Sequence, residues 1–214
     1  MTRDKGRWAR VLAVSAVALG ASRAPEPRTV VFVGTSLTAG YGLDDPSDAY
    51  PALVQAKIDS AGLSYRTVNA GVSGETSAGT LRRVPWLLRG ALDVLVLETG
   101  ANDGLRGLDV AATRANIDSI VRRVRVARPG VRICLVQMEA PPNMGASYTA
   151  AFRAIYPGVA REEKVVLVPF LLAGVAGHAD LNQADGIHPN LRGEQIVAAN
   201  VWHSLEPVLR AAAE

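Results

Sequence analysis

Apolar residues fall in five short, nearly continuous runs along the chain: TVVFV (29–33), YRTVNA (65–70), DVLVLET (93–99), RICLVQM (132–138) and VVLVPF (165–170). Runs of this length, without strict alternation, suit strands covered on both faces. Between them the period changes. PALVQAKIDSAG (51–62), TLRRVPWLLRG (80–90), RANIDSIVRRVRVARPG (114–130) and YTAAFRAIYPGVAREE (148–163) read as amphipathic segments, and a last helix is expected after His188 in PNLRGEQIVAANVWHSLEPVLRAAA. In the third segment Ile117, Ile120, Val121 and Val124 share one helical face, Arg122 and Arg125 turn to solvent, and Pro129-Gly130 stops the helix. Strand and helix alternate throughout. That alternation predicts a parallel sheet joined by right-handed crossovers, with helices on both sides: a three-layer α/β/α sandwich of about five strands.

Residues 1–24 break the pattern. Arg3, Lys5, Arg7 and Arg10 precede the uncharged run VLAVSAVALGA, which is shorter than the ~20 residues needed to cross a bilayer. Small residues in GASRA then lead into Pro25-Glu26-Pro27. This is the make-up of a secretory signal peptide over 1–24, followed by a single domain over 28–214, and it places the mature protein in the periplasm or outside the cell with no stable membrane insertion after processing. No cysteine lies at the expected cleavage site to carry a lipid anchor. Cys134 is the only cysteine of the 214 residues, so no intramolecular disulfide can form, and its neighbours Ile133, Leu135 and Val136 make it a buried thiol. The net charge of +3 owes several of its basic residues to the leader, so nothing calls for a nucleic-acid partner. The arginines of 114–130 read first as a solvated helix face, and secondly as a surface for anionic head groups.

In open parallel sheets, ligands bind beyond the carboxyl ends of the strands, near the point where strand order reverses. Each unusual motif here follows a strand: GTSLTAGYG, GVSGETS, GANDG, EAPPNMG and ADGIHPN. In the last, Asp185 and His188 stand three apart, close enough for the carboxylate to accept a hydrogen bond from Nδ1–H and fix the imidazole tautomer. Alone, that spacing is more often structural. A metal site from His178, Asp180 and His188 matches no familiar ligand spacing. Ser36 follows Gly34 at the expected start of a helix, where it is either a capping residue or a nucleophile beside unpaired N–H groups. GTSLT is not the G-x-S-x-G elbow, and GTSLTAGYG fits neither a P-loop nor a dinucleotide fingerprint. Gly74 allows close approach of its backbone N–H, and Asn102 offers a side-chain NH₂, so that with the N–H of Ser36 there are three candidate oxyanion donors. Singly, each also reads as a turn or loop residue.

Taken in order, Ser36 in GTSLTAGYG, Gly74 in NAGVSGETS, Asn102 in GANDG and the Asp185/His188 pair in DGIHPN resemble the four blocks of the SGNH, or GDSL, hydrolase family. AYPALVQAKI, ANDGLRGL, APPNMG and YTAAFRAIYPGVA are similar to its bacterial periplasmic branch of thioesterases, lysophospholipases and arylesterases, so the resemblance spans about 28–210. It implies a flavodoxin-like topology and a serine esterase. In that reading Ser36 is the nucleophile, His188 the base and Asp185 its orienting carboxylate, while Gly74 and Asn102 bind the substrate oxyanion. The implied partner is a small-molecule acyl ester: a short- to medium-chain ester or thioester, an aryl ester or a lysophospholipid. No metal or organic cofactor is implied, and the oligomeric state stays open. Met144 and Tyr148 are expected as walls of the acyl pocket. Thr35 departs from the family pattern, which usually has aspartate before the nucleophile. A carbohydrate O-acetyl esterase of the same fold is the alternative activity, and a non-catalytic α/β binding module the alternative outside enzymes.

Overall fold

The computed structural model of the protein describes residues 26–213, and the signal peptide expected over 1–24 lies outside the described residues. Each apolar run forms a strand: β1 (Arg28–Gly34), β2 (Tyr65–Gly71), β3 (Val94–Glu98), β4 (Arg132–Val136) and β5 (Val166–Val168). All pairings are parallel, in the order β2-β1-β3-β4-β5. This is the flavodoxin-like order, whose switch point lies between β1 and β3. The helices are α1 (Ser36–Ala39), α2 (Tyr50–Ser60), α3 (Ser77–Leu87), α4 (Ala101–Leu105), α5 (Val110–Ala127), α6 (Ala146–Glu162) and α7 (Leu191–Ala213). α2 packs against α7, while α3 and α6 both pack on α5, which gives the two helical layers.

The reading of strands covered on both faces holds for the centre of the sheet and fails at its edges. Every residue of β3 is buried, as are all but the first of β1 and β4. In β2 only Tyr65 is buried, and Val166 of β5 is 39% exposed. An edge strand has a neighbour on one side only, and its row of outer side chains is less completely roofed by the crossover helices. The buried faces meet in one hydrophobic cluster that includes Phe32, Tyr50, Leu97, Ile117, Leu135, Phe152 and Tyr156. Cys134 belongs to it, and burial pushes its thiol up to about 12, which leaves it inert.

α5 presents Arg122 and Arg125 outward, yet both are paired with Glu163 beyond the end of α6, at 2.9 and 3.0 Å, and Arg122 also meets Asp118 at 3.2 Å. Those carboxylates offset part of the positive charge on this face. Among the described residues, no helix is long and apolar enough to cross a membrane.

Glu194, in the first turn of α7, is buried and accepts a hydrogen bond from the Tyr50 N–H at 2.7 Å. Burial pushes its carboxyl up to about 8, against the opposing effect of that hydrogen bond. A carboxyl raised in the folded state binds its proton more tightly there than in the unfolded chain, so folding stability falls as pH rises from about 4 to about 8. Glu194→Gln keeps an acceptor for Tyr50 without the ionisable group. It is expected to raise the melting temperature, more at pH 8 than at pH 5, by about 2–4 °C per kcal/mol gained; equal shifts at both pH values in thermal scans would contradict this.

Candidate active site

The loops after β1, β2 and β3, and the one before α7, meet at the carboxyl end of the sheet. β1 ends at Gly34, and α1 opens at Ser36 with Thr35 as its cap. The first N–H groups of a helix have no intrahelical partner, so the Ser36 amide is available to an incoming oxygen. Beneath this turn lies Glu98, the last residue of β3 and fully buried. Its carboxylate accepts the Thr35 N–H at 2.7 Å, the Thr35 hydroxyl at 2.9 Å and the Thr38 hydroxyl at 3.0 Å, and Thr38 also bonds the Tyr50 hydroxyl at 2.7 Å. Burial raises the Glu98 carboxyl above its usual range while these donors pull it back. A Cβ on Gly34 would overlap the Thr38 hydroxyl and lie 2.6 Å from Glu98 Oε2, which is why the turn takes glycine.

This cluster gives Thr35 a physical role. Its hydroxyl donates to Glu98, whereas an aspartate there would set a second carboxyl against the first. Glu98→Ala would leave the buried Thr35 N–H unpaired, at a cost of about 1–3 kcal/mol. A melting temperature lower by roughly 2–10 °C is expected, with a smaller loss in Glu98→Gln; an unchanged melting temperature in Glu98→Ala would rule out this support of the turn.

The neighbouring loops are tied to the same place. The Val72 N–H donates to Gly34 O at 2.8 Å, which sets the turn after β2 beside the Ser36 turn. That turn closes through Glu75 N–H to Val72 O at 3.2 Å, with Gly74 at φ +76°, a conformation glycine adopts without strain. Asn102 stands on α4 rather than in an open loop, and its Nδ2 donates to Glu75 O at 3.0 Å. One amide hydrogen anchors the side chain to the Gly74 turn, and the second is left over for a ligand. Asp103 braces the arrangement from below by accepting the Ser77 N–H and hydroxyl at 2.8 and 2.5 Å.

From the loop before α7, His188 Nε2 lies 2.8 Å from Ser36 Oγ, and its Nδ1 lies 2.6 Å from Asp185 Oδ2. The other carboxylate oxygen, Oδ1, accepts the Ile187 and His188 N–H groups at 2.9 and 3.0 Å. The hydrogen bond from His188 and these two backbone donors hold the Asp185 carboxyl down at about 2. An isolated bridge between Asn182 and Pro189 closes the base of this loop. Gln183 ties it to the nucleophile's side, donating to Tyr41 O at 2.8 Å and Pro189 O at 3.0 Å. The Tyr41 ring leans on the imidazole with centroids 4.8 Å apart. α7 starts at Leu191 with Asn190 capping the Arg192 and Gly193 N–H groups, two residues later than Pro189 suggests.

The sequence from residue 32 to residue 196 matches the model of the GDSL-like Lipase/Acylhydrolase family. The chain belongs to this family. Among its relatives, "Esterase TesA" of Pseudomonas aeruginosa is 43% identical over 183 residues, covering 85% of this chain and 90% of that protein. "Thioesterase 1/protease 1/lysophospholipase L1" of Escherichia coli K12 is 38% identical over 188 residues, covering 87% and 88%. Among solved structures, the esterase EstA from Pseudoalteromonas sp., inhibited by monoethylphosphonate, superposes with a TM-score of 0.79 at 31% identity, covering 86% of this chain and 99% of that one. This GDSL-like chain is an ester-hydrolysing enzyme.

Ser36, Asp185 and His188 are thus joined by hydrogen bonds, and Gly74 and Asn102 adjoin them through the Val72 and Glu75 links. Met144 and Tyr148 do not line the cleft beside Ser36. The Tyr148 hydroxyl donates to Leu108 O at 2.8 Å, and Met144 Cε lies where a Cβ on Gly107 would reach, so both pack against the turn after α4. Its walls include Leu37, Ala101, Leu105, Pro141, Phe170 and Ile187, around about 310 Å³. His178 and Asp180 do not join His188: Asp180 pairs with Arg192 at 3.4 Å, and no group of three or more His, Cys, Asp or Glu side chains among the described residues is placed to hold a metal. Glu98, Asp103, Gln183 and Tyr41 were not singled out by sequence. The only signal was a charged or polar residue next to an apolar run or a motif, which is too common to select them.

Proposed function

We propose that this acylhydrolase cleaves carboxylic esters, and thioesters, of short- to medium-chain acyl groups through a Ser36–His188–Asp185 triad and an acyl-enzyme. His188 Nε2 takes the hydroxyl proton as Ser36 Oγ attacks the carbonyl carbon, and the resulting oxyanion is met by the N–H groups of Ser36 and Gly74 and by Asn102 Nδ2. The imidazolium, steadied by ionised Asp185 and by the face of Tyr41, returns the proton to the leaving oxygen or sulfur. Water then attacks the acyl-enzyme by the same route and releases the acid. Aryl esters and lysophospholipids fall within this reading. Export through the leader would put the enzyme in the periplasm or outside the cell, away from cytosolic acyl thioesters.

The observation that carries the proposal is the Asp185–His188–Ser36 relay, at 2.6 and 2.8 Å, at the mouth of an apolar cleft. Leu37, Ala101 and Ile187, each next in sequence to Ser36, Asn102 or His188, form part of that cleft's wall. Apolar walls favour an acyl chain over an acetylated sugar, which would leave its hydroxyl groups unpaired there. Burial of each CH₂ contributes about 0.8 kcal/mol, so kcat/KM should rise by up to about fourfold per methylene until the cleft is full. A flat profile across nitrophenyl esters of increasing length would argue against this cleft as the acyl site.

The mechanism is tested by a fluorophosphonate probe, expected to label the wild type at Ser36 and to leave Ser36→Ala unlabelled. Labelling that persists in the variant, or maps to another residue, would remove Ser36 as nucleophile. Asn102→Ala is expected to lower kcat by roughly 10²–10³-fold with a much smaller change in KM, because the oxyanion exists only as the reaction proceeds. Steady-state kinetics showing the loss in KM instead would place Asn102 in ground-state binding.

A further inference from the structure

A second cleft opens on the other side of the Gly74 turn, about 470 Å³ in volume, between that turn, α3 and the end of α4. Its polar walls include Ser73, Glu75, Arg82, Arg83 and Arg106. Arg83 is committed: it bonds both oxygens of Glu75, at 2.9 and 2.7 Å, and Ala70 O at 2.9 Å. Among the described residues Arg106 has no carboxylate partner, and its Nη2 donates to Gly74 O at 3.1 Å. Arg82 is exposed and bonds to no other described residue. Three guanidinium groups therefore face one carboxylate, leaving two positive charges unmatched.

The two clefts share a boundary. Leu105 lines the apolar one and Arg106, the next residue, lines the cationic one, while Gly74, expected to hold the oxyanion, is part of the cationic wall. An ester carbon held at Ser36 with its acyl chain in the apolar cleft has its leaving group directed away from that cleft. Resting on the esterase reading above, we propose that Arg82 and Arg106 form a subsite for a phosphate on the leaving group of the ester. Two unpaired guanidinium groups from different elements, α3 and the turn after α4, suit a phosphate with its several acceptor oxygens better than a single carboxylate. The shared chemistry is the phosphate, whose source is either a phospholipid head group or a water-soluble phosphorylated alcohol.

The test compares kcat/KM for monooctanoylglycerol, monooctanoylglycerol phosphate and octanoyl-lysophosphatidylcholine, all as monomers in solution. These have one acyl chain and differ in leaving group. The wild type is expected to prefer one or both phosphate esters to the uncharged one by about tenfold at low salt, with the preference shrinking as ionic strength rises. Arg82→Gln and Arg106→Gln should each reduce that preference about three- to fivefold, the size expected of an exposed charge pair, and Arg106→Lys should restore part of it. Inorganic phosphate should inhibit cleavage of the phosphate esters competitively in the wild type and more weakly in Arg82→Gln. Preference for the lysophosphatidylcholine identifies the head group of a lipid as the source, and preference confined to the monoester identifies a soluble phosphorylated alcohol. Cleavage of all three esters with the same ratios in wild type and Arg82→Gln overturns the subsite alone. Failure of the wild type to cleave any of the three while it cleaves nitrophenyl octanoate also overturns the subsite alone, and failure on nitrophenyl octanoate as well overturns the esterase reading, and the subsite with it.

Discussion

Ser36→Ala is expected to lower kcat for ester cleavage by about 10⁶-fold while leaving the fold almost untouched. Among the described residues the Ser36 hydroxyl bonds only to His188, so its loss leaves no buried group unpaired. The turn that presents it is held by Thr35, Thr38 and Glu98, whose hydrogen bonds do not pass through the serine side chain. Stability should therefore stay within about 0.5 kcal/mol of the wild type. KM for a nitrophenyl octanoate should also move little, because the acyl chain meets Leu37, Leu105 and Ile187 whether or not the hydroxyl is present. The oxyanion donors survive in the variant, so a small rate above that in water alone remains. Retention of more than about a hundredth of wild-type kcat, in protein with an unchanged melting temperature, would show that another group attacks the ester.

The architecture could be read from the chain because its period changes so cleanly. Buried central strands need continuous apolar runs, and VVFVG, VLVLE and ICLV supply them. The edge strands read as equally covered because hydropathy reports a residue's own preference and not its number of neighbours. Ser36, Gly74, Asn102, Asp185 and His188 stand out because each falls in a motif that follows an apolar run, with a spacing or residue type unusual for a plain connection. What holds them in place did not stand out. Glu98 at the end of DVLVLE reads as the point where a strand emerges into solvent, yet it is fully buried, and its partners Thr35 and Thr38 lie 63 and 60 positions away. Such pairings depend on β1 lying beside β3, a fact of sheet order that no local window contains. Met144 and Tyr148 failed for a related reason. Their loop does border the acyl cleft through Pro141 and Pro142, but a 3₁₀ turn at Pro142–Met144 carries the next residues away toward Gly107 and Leu108.

The second large effect is expected at Asp185, where asparagine should lower kcat by roughly 10⁴-fold although it differs from aspartate by little in shape. Aspartate uses its two oxygens for different tasks: Oδ1 accepts the Ile187 and His188 N–H groups at 2.9 and 3.0 Å, and Oδ2 receives Nδ1–H at 2.6 Å. In the variant the single amide oxygen is claimed by the two backbone donors, which turns the NH₂ group toward the imidazole. Two donors cannot face each other, so Nδ1 must become the acceptor and the ring proton moves to Nε2. Nε2 then donates to Ser36 Oγ across the 2.8 Å gap when it has to accept from it, and the serine proton has nowhere to go. The stability cost of the substitution should appear at neutral pH and vanish in acid. The Asp185 carboxyl, held at about 2 against 3.8 ordinarily, contributes stability that is present above about 4 and lost as pH falls toward 2, and its side chain is 38% exposed, so solvent keeps that contribution small. Asp185→Ala separates the tautomer from the missing charge: it removes the carboxylate without offering a donor to Nδ1, so it should be less damaging than asparagine despite the larger change in structure. Kinetics placing alanine below asparagine, or asparagine within tenfold of wild type, would mean that the direction of the His188 proton is not what Asp185 supplies.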